Sequence, residues 1–274
     1  MPRDNVGTQR NAPLPRAITR LSIVADAPLF AGLATHCYGV ATGDGVLIVD
    51  PPSQRAAALD QIEAAATAPI RAIVVTHTHP DHIGGVAALH ERTGAPVYGH
   101  PAAQPHLAPH LPFHALHEGD QFAGWQIWQT PGHRADSITL IDEQERIAIV
   151  GDLVVGSGTV VINPPEGDLT DYLTSLGRLR AASLRMLLPG HGPVVVDPAA
   201  LLDYYMAHRL QREGKVLAAL GATPATVEAL LPLAYDDSDP ALYPLAARSL
   251  LAHLLKLEAE GRAVRHEAGW STVL

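Results

Sequence analysis

Four metal-ligand side chains fall within six residues in the run Thr76-His77-Thr78-His79-Pro80-Asp81-His82, and this run constrains the chain more than any other feature. Zinc and similar ions require neutral imidazole nitrogens and carboxylate oxygens converging within a few ångströms. An apolar stretch at 71–75 has the form of a buried strand and leads straight into the run, and Gly84-Gly85 open a helical pattern behind it. In an extended segment His77 and His79 project to the same side, because side chains alternate with a period of two. A turn after Pro80 then swings Asp81 and His82 towards a second position. The spacing therefore suits two neighbouring metal ions better than one. The bland alternative is a polar surface loop whose histidines are a coincidence.

Three further signals weigh against that alternative. Thr130-Pro131-Gly132-His133, Gly151-Asp152 and Pro189-Gly190-His191-Gly192 each follow an apolar strand pattern. Each places one ligand-type side chain on a glycine-permitted turn at a strand end, where α/β proteins tend to assemble their sites. The chain has fifteen histidines but only two lysines, Lys215 and Lys256. Where the histidines stand, rather than their number, is what signals metal chemistry.

Strand patterns occur at 20–24, 37–41, 46–49, 71–75, 97–98, 126–129, 138–141, 147–150 and 186–188. Helical patterns occupy 54–66, 84–92, 169–180, 199–220, 223–231 from a Thr223-Pro224 cap, and 240–260, with Gly94 a C-cap for the second. Residues 101–120 hold five prolines or glycines and four histidines, which predicts an irregular loop. A hairpin is expected at 264–273 around Gly269. The reading divides the chain into a loose N-terminal tail at 1–18, a catalytic domain at 19–198 and a winged-helix-like domain at 199–274.

Composition excludes some classes. With 274 residues, 47% apolar and 17% charged, the chain can bury a large core. A net charge of −9 gives no general attraction to nucleic acid phosphates or anionic membranes. No apolar run reaches the length of a membrane span or a signal peptide. The single cysteine, Cys37, forbids an internal disulfide and suits a reducing cytosol, so a cytoplasmic location is expected. Cys37 itself reads as a small buried apolar residue.

The set His77, His79, Asp81, His82, His133, Asp152 and His191 resembles the metallo-β-lactamase superfamily over about residues 20–198. Gly151-Asp152-Leu153-Val154, Pro164-Pro165-Glu166-Gly167-Asp168, Tyr172-Leu173, Ser175-Leu176, His208-Arg209 and Arg212-Glu213 resemble its β-lactamase-like-protein-2 group, which carries a C-terminal winged-helix domain. The resemblance implies an α/β fold, an αββα sandwich with a two-metal site along one edge. His77, His79 and His133 would hold the first metal. Asp81, His82 and His191 would hold the second, and Asp152 would bridge them. Zn2+ is the expected ion, with Mn2+ or Fe2+ as alternatives.

The implied chemistry is dinuclear metal-dependent hydrolysis, in which a metal-bridging hydroxide attacks an ester-type bond: a thioester, ester, lactone or phosphoester. Two ions about 3.5–4 Å apart make such a hydroxide available near neutral pH. Asp81 and Asp152 are the candidate catalytic residues. The competing readings are an RNA-cleaving nuclease, a persulfide dioxygenase with one iron held by two histidines and an aspartate, and a regulatory nucleic-acid-binding protein. The third helix of the winged-helix-like domain, at 240–260, carries Arg248 and Lys256 against Glu258 and Glu260, a thin footprint for phosphate, so a small-molecule substrate is expected and RNA is not favoured. No membrane partner is expected, and a homodimer is compatible with the sequence.

Arg134 stands where the group usually has Thr. It is read either as attracting an anionic substrate group or as an ion-paired arginine. His106, His110, His114 and His117 are spaced like ligands but are interrupted by prolines, so they read as a pocket rim. His90, His253 and His266 read as satisfied surface or interface histidines. His208 and Arg209 read as pinning their helix to the catalytic domain, or as facing the cleft.

Overall fold

The computed structural model describes residues 4–26 and 34–273. The first half of the chain runs β1 (Thr8–Gln9), β2 (Ile18–Val24), β3 (Ala34–Ala41), β4 (Val46–Val49), α1 (Ala56–Ala65), β5 (Ile70–Val74), α2 (Pro80–Ile83), α3 (Val86–Thr93), β6 (Val97–Gly99) and β7 (Phe113–Ala115). The second half runs β8 (Gln121–Phe122), β9 (Trp125–Gln129), β10 (Ile138–Asp142), β11 (Ile147–Gly151), α4 (Leu169–Ala181), β12 (Met186–Pro189) and β13 (Val194–Val195). The C-terminal part is α5 (Pro198–Ala219), α6 (Val227–Ala234), α7 (Tyr243–Ala259), β14 (Ala263–His266) and β15 (Gly269–Thr272).

β2 to β7 form one sheet in chain order, and β1-β13-β12-β11-β10-β9-β8 form the other. β4, β5, β6 and β7 pair in parallel, as do β11 and β12. The two sheets face each other through Tyr38, Leu47, Val49 and Val74 on one side and Ile127, Leu140, Ile149 and Leu188 on the other. Alternate residues of the same strands point outward. Ile48, Ile73 and Val97 pack under Leu59 and Ile62 of α1 and Leu89 of α3. Ala148, Val150 and Leu187 pack under Leu176 and Leu179 of α4 and Leu201 and Leu202 of α5. Coverage on both faces is why Val46–Val49 is buried at every position rather than alternately. Burial contributes about 1.5–3 kcal/mol per large apolar side chain. Exposed ion pairs such as Arg180–Asp203 contribute at most about 1 kcal/mol. The layers, not surface charge, therefore hold the frame, and the architecture is the αββα sandwich that the resemblance implied.

Several expectations need correction. Residues 4–16 are not a loose tail. β1 pairs with β13, and Asn5 Nδ2 donates to the carbonyls of Val155 and Gly158, at 2.8 and 3.0 Å; residues 1–3 lie outside the described residues. The helix expected at 84–92 is present as α3, starting at Val86; the additional turn α2 at Pro80–Ile83 was not expected, and Gly84 and Gly85 between the two pass so close to the backbone of Pro52 and Ser53 that a Cβ on either would clash with it. The 101–120 segment contains β7, which adds an edge strand beside β6. α6 starts from Thr226, not Thr223, since the Ala225 N–H and carbonyl are taken by Trp270 in a β-bridge. A boundary at 198/199 also cuts through shared packing: Leu201, Leu202 and Tyr205 of α5 belong to the sandwich core, while Val216 and Leu220 of the same helix belong to the cluster beneath α6, α7 and Trp270. With the β14–β15 hairpin, α5, α6 and α7 make up the winged-helix part. Among the described residues no helix is long and apolar enough to cross a membrane.

Candidate metal centre

Every ligand-type residue singled out above stands at the same edge of the sandwich. β4, β5, β11 and β12 end there, and β9 runs the same way as β11 because β10 is antiparallel to both. Two backbone hydrogen bonds stitch the sheets together at this edge, Ile138 N–H to the Thr76 carbonyl and His36 N–H to the Gly190 carbonyl, both at 2.8 Å.

β5 delivers His77. The Thr76 N–H and hydroxyl donate to the two oxygens of Asp50, at 2.7 and 2.6 Å. Asp50 is buried at the end of β4 with a φ of 53°. The Thr76 hydroxyl also lies 3.1 Å from His77 Nδ1, and with its own proton committed to Asp50 it accepts there. His77 therefore presents Nε2. Asp50 also accepts from His82 Nδ1 at 2.9 Å, which leaves His82 Nε2 facing inward. Pro80 starts α2 and turns Asp81 and His82 back into the cluster.

His133 arrives on the turn after β9. Gly132 has a φ of 134°, and a Cβ there would come 2.2 Å from Tyr172 Cα, so this turn packs flush on α4. His133 Nδ1 meets the Val161 carbonyl at 3.0 Å, which presents Nε2. His133 Nε2 and His77 Nε2 lie 2.9 and 3.1 Å from the same atom, His79 Nδ1. His191 Nδ1 meets the Ala34 carbonyl at 3.0 Å. Its Nε2 lies 3.1 Å from Asp81 Oδ2 and 3.4 Å from Asp152 Oδ2. Asp152 stands between the groups, with Oδ1 3.5 Å from His82 Nε2 and Oδ2 3.9 Å from His133 Nε2. Gly190 makes room for this, since a Cβ on it would lie 2.5 Å from Asp152 Oδ1 and 2.6 Å from His82 Cε1. Three overlapping ligand sets result: His77, His79 and His133; His77, His82 and Asp152; Asp81, His82 and His191.

The sequence matches the metallo-beta-lactamase superfamily over residues 31–191. The chain belongs to the metallo-β-lactamase superfamily. Residues 226–270 match the beta-lactamase associated winged helix domain. A Drosophila melanogaster protein named "Beta-lactamase-like protein 2 homolog" is 30% identical over 249 residues, covering 83% of each chain. The "Atrochrysone carboxyl ACP thioesterase" of Aspergillus chevalieri is 30% identical over 200 residues, 68% of this chain and 60% of its own. The "Hydroxyacylglutathione hydrolase" of Methylobacterium nodulans is 38% identical over 139 residues, 44% of this chain and 52% of its own. Among solved structures, a beta-lactamase domain protein from Burkholderia ambifaria superposes with a TM-score of 0.81 at 21% identity, covering 98% of this chain and 96% of that one. A structure described as a di-iron-bound form superposes with a TM-score of 0.55 at 28% identity, over 65% of this chain and 94% of that one. The chain is a metallo-β-lactamase-fold hydrolase with a C-terminal winged-helix domain.

The electrostatics of this edge are compatible with a cation site. Burial, reinforced by neighbouring histidines, holds His77 and His133 below the ordinary imidazole range and His79 down at about 3. Three neutral rings then point lone pairs at one spot. In the other group burial works against charge, but the carboxylates of Asp152 and Asp50 overcome it and raise His82, while Asp152 and Asp81 raise His191 to about 10. Those imidazolium groups in turn hold Asp152 well below the usual carboxylate range despite its burial. Among the described residues, His82 Nε2 and Asp152 Oδ1 are buried without a hydrogen-bond partner. Buried polar atoms are normally satisfied, so converging lone pairs and two orphaned atoms fit a bound divalent ion.

Arg134 shows the ion-paired arrangement. Its Nε donates to Asp136 at 2.9 Å and Nη1 lies 3.1 Å from Glu166. Asp136 also accepts from Thr78 within the ligand run. None of His106, His110, His114 or His117 joins a ligand set among the described residues. His253 is not a satisfied surface group: it is 1% exposed, and among the described residues neither ring nitrogen has a hydrogen-bond partner. The sequence reading missed Asp50, Asp136 and His36, whose Nε2 meets the Gly192 carbonyl at 2.6 Å. Asp50 ends an apolar strand one position before Pro51, a pattern that reads as an ordinary turn and does not by itself point to the site.

Proposed function

We propose that the protein is a dinuclear hydrolase of ester-type bonds with a small-molecule substrate. The observation that carries this reading is the position of Asp152, between a three-histidine group and an Asp81–His82–His191 group. His77, His79 and His133 would hold one ion, Asp81, His82 and His191 the other, and Asp152 both. Zn2+ suits the nitrogen-rich donor set, and Mn2+ or Fe2+ can occupy similar ligands. Bound there, two divalent ions supply an ionised water near neutral pH and polarise the oxygen under attack.

The chain's own residues set up the rest. Asp50, Thr76, Val161 and Ala34 fix which nitrogen each histidine presents. Asp81 accepts from the Thr35 hydroxyl at 3.3 Å and neighbours His191, which fixes its carboxylate in the second group; as a ligand it is a poor free base. No serine or cysteine nucleophile is needed, and Cys37 is fully buried, its thiol pushed far up by burial. Thioesters head the substrate classes because a relative carries the word thioesterase in its name. Carboxylic esters, lactones and phosphoesters follow.

The test is a hydrolysis panel of acyl thioesters, lactones, phosphodiesters and short RNAs, run on metal-loaded wild type, metal-stripped protein and Asp152→Ala. Activity on an ester-type substrate should fall by about 10²–10³-fold in the variant, the scale of removing one charge-stabilising group, and should vanish on stripping. Full activity in stripped protein or in Asp152→Ala refutes the proposal. Cleavage of RNA alone favours the nuclease, and one iron per chain with oxygen-dependent turnover favours the dioxygenase.

A further inference from the structure

The ligand sets are complete without the C-terminal helices, yet α5 reaches the metal centre through a loop. Residues 152–168 run from Asp152 to Asp168, which caps α4 by accepting from the Asp171 N–H. Midway along, the Val161 carbonyl receives His133 Nδ1 and so decides which ring nitrogen faces the cluster. One residue earlier, the Val160 carbonyl accepts from Arg209 Nη2, which also donates to Thr159 Oγ1 at 3.2 Å. A turn before Arg209 on the same helix, the Tyr205 hydroxyl donates to the Val155 carbonyl at 3.1 Å. One face of α5 thus grips the loop at Val155, Thr159 and Val160.

Arg209 is unusual among the charges of α5. It is 3% exposed, and among the described residues no carboxylate pairs with it. Its guanidinium lies 5.3 Å from the centre of the Tyr172 ring. Burying a cation without a counter-charge is costly unless its hydrogen bonds repay it. The neighbouring charges serve the C-terminal part instead: Arg212 pairs with Asp237 and donates to the Ala234 carbonyl, and Glu213 pairs with Lys256 and Arg262. Arg209 is the buried charge of this helix whose bonds go to the active-site loop.

We propose that Arg209 is a positioning residue for the His77–His79–His133 subsite, fixing Val160 and Val161 so that the Val161 carbonyl holds His133 with Nε2 towards the cluster. The inference rests on the two-metal reading above. Groups that orient metal-bound histidines from behind typically change affinity by about 10–100-fold when removed. The effect is confined to one subsite, because His82 and His191 are oriented by Asp50 and Ala34, which Arg209 does not touch.

The full-length chain is titrated with Co2+ against a competing chelator, following the visible absorption of each bound ion and the melting temperature. Arg209→Met, Arg209→Lys and Arg212→Met are compared with wild type. Arg209→Met should weaken one of two cobalt sites by about 10–100-fold, shift that site's absorption and leave the other site unchanged. Arg209→Lys, which keeps a donor, should recover most of the affinity, also if Arg209→Met proves too unstable to titrate. Arg212→Met should lower the melting temperature with both sites intact. Wild-type affinity and spectrum in Arg209→Met overturn the inference, as does an equal loss at both sites in Arg209→Met and Arg212→Met. Failure of the wild type to bind a second cobalt overturns the two-metal reading instead, and is told apart because it appears before any variant is made.

Discussion

Asp50 carries no ligand role, yet its carboxylate takes the Thr76 N–H, the Thr76 hydroxyl and His82 Nδ1. Through Thr76 it reaches His77, and directly it reaches His82, so one buried side chain orients a ligand in each group. Asp50→Ala should weaken metal retention by about 10–100-fold, read by chelator competition on the folded protein. Retention equal to wild type would contradict that role. The seven candidate ligands, which the fold brings together at one edge, were legible in the sequence because each sits in a short motif of turn residues after an apolar stretch. Asp50 was not, because an aspartate before two prolines reads as a turn unless its reach to residues 76 and 82 is known. Arg134 shows the same limit: its partner Asp136 is close in sequence but Glu166 is not, and only the folded chain shows that both engage it.

At the scale of elements, strands flanked by glycine and proline were easy to find, and so were the starts of α4 and α5, but the start of α6 was not. The start of α6 moved to Thr226 because a distant residue, Trp270, claims the backbone of Ala225. β7 was hidden in a proline-rich segment, since its pairing with β6 is parallel and leaves little local pattern. α7 bears a consequence for stability. His253 on its buried face is held down at about 3, first by burial and then by Arg209, Lys256 and Arg212. The folded helix therefore keeps this imidazole neutral while the unfolded chain protonates it near its ordinary value of about 6.5. Between those two values the unfolded state binds more protons, so stability falls as the pH drops below about 6.5 and the loss is complete near the folded value. His253→Leu removes both the titration and the unsatisfied nitrogens. Its urea midpoint should match or exceed that of wild type at neutral pH and decline less towards pH 5. An equal or steeper decline in the variant would show that His253 does not set this dependence.

At the scale of the whole molecule, the two parts are joined by a helix that belongs to both. The composition change near residue 198 was legible, but the boundary was not. The first turns of α5 supply Leu201, Leu202 and Tyr205 to the sandwich, and its last turns supply Val216 and Leu220 to the winged-helix core. The N-terminal residues close the arrangement by pairing β1 onto β13 and tying Asn5 to the loop that α5 holds. The candidate metal centre is thus where β4, β5, β9, β11 and β12 end, and its electrostatics make a prediction for the molecule as a unit. His82 and His191 stand raised, and in the ion-free protein that contribution to stability is fully present below the ordinary histidine value and is lost for His191 as the pH rises through about 10. Ligation needs neutral imidazole, so loading must expel these protons and tighten with rising pH. The most direct test is metal counting on dialysed full-length protein, with proton release followed during loading at pH 7. The account predicts two divalent ions per chain and net release of protons on loading. One ion per chain, or none, or loading without proton release would contradict it.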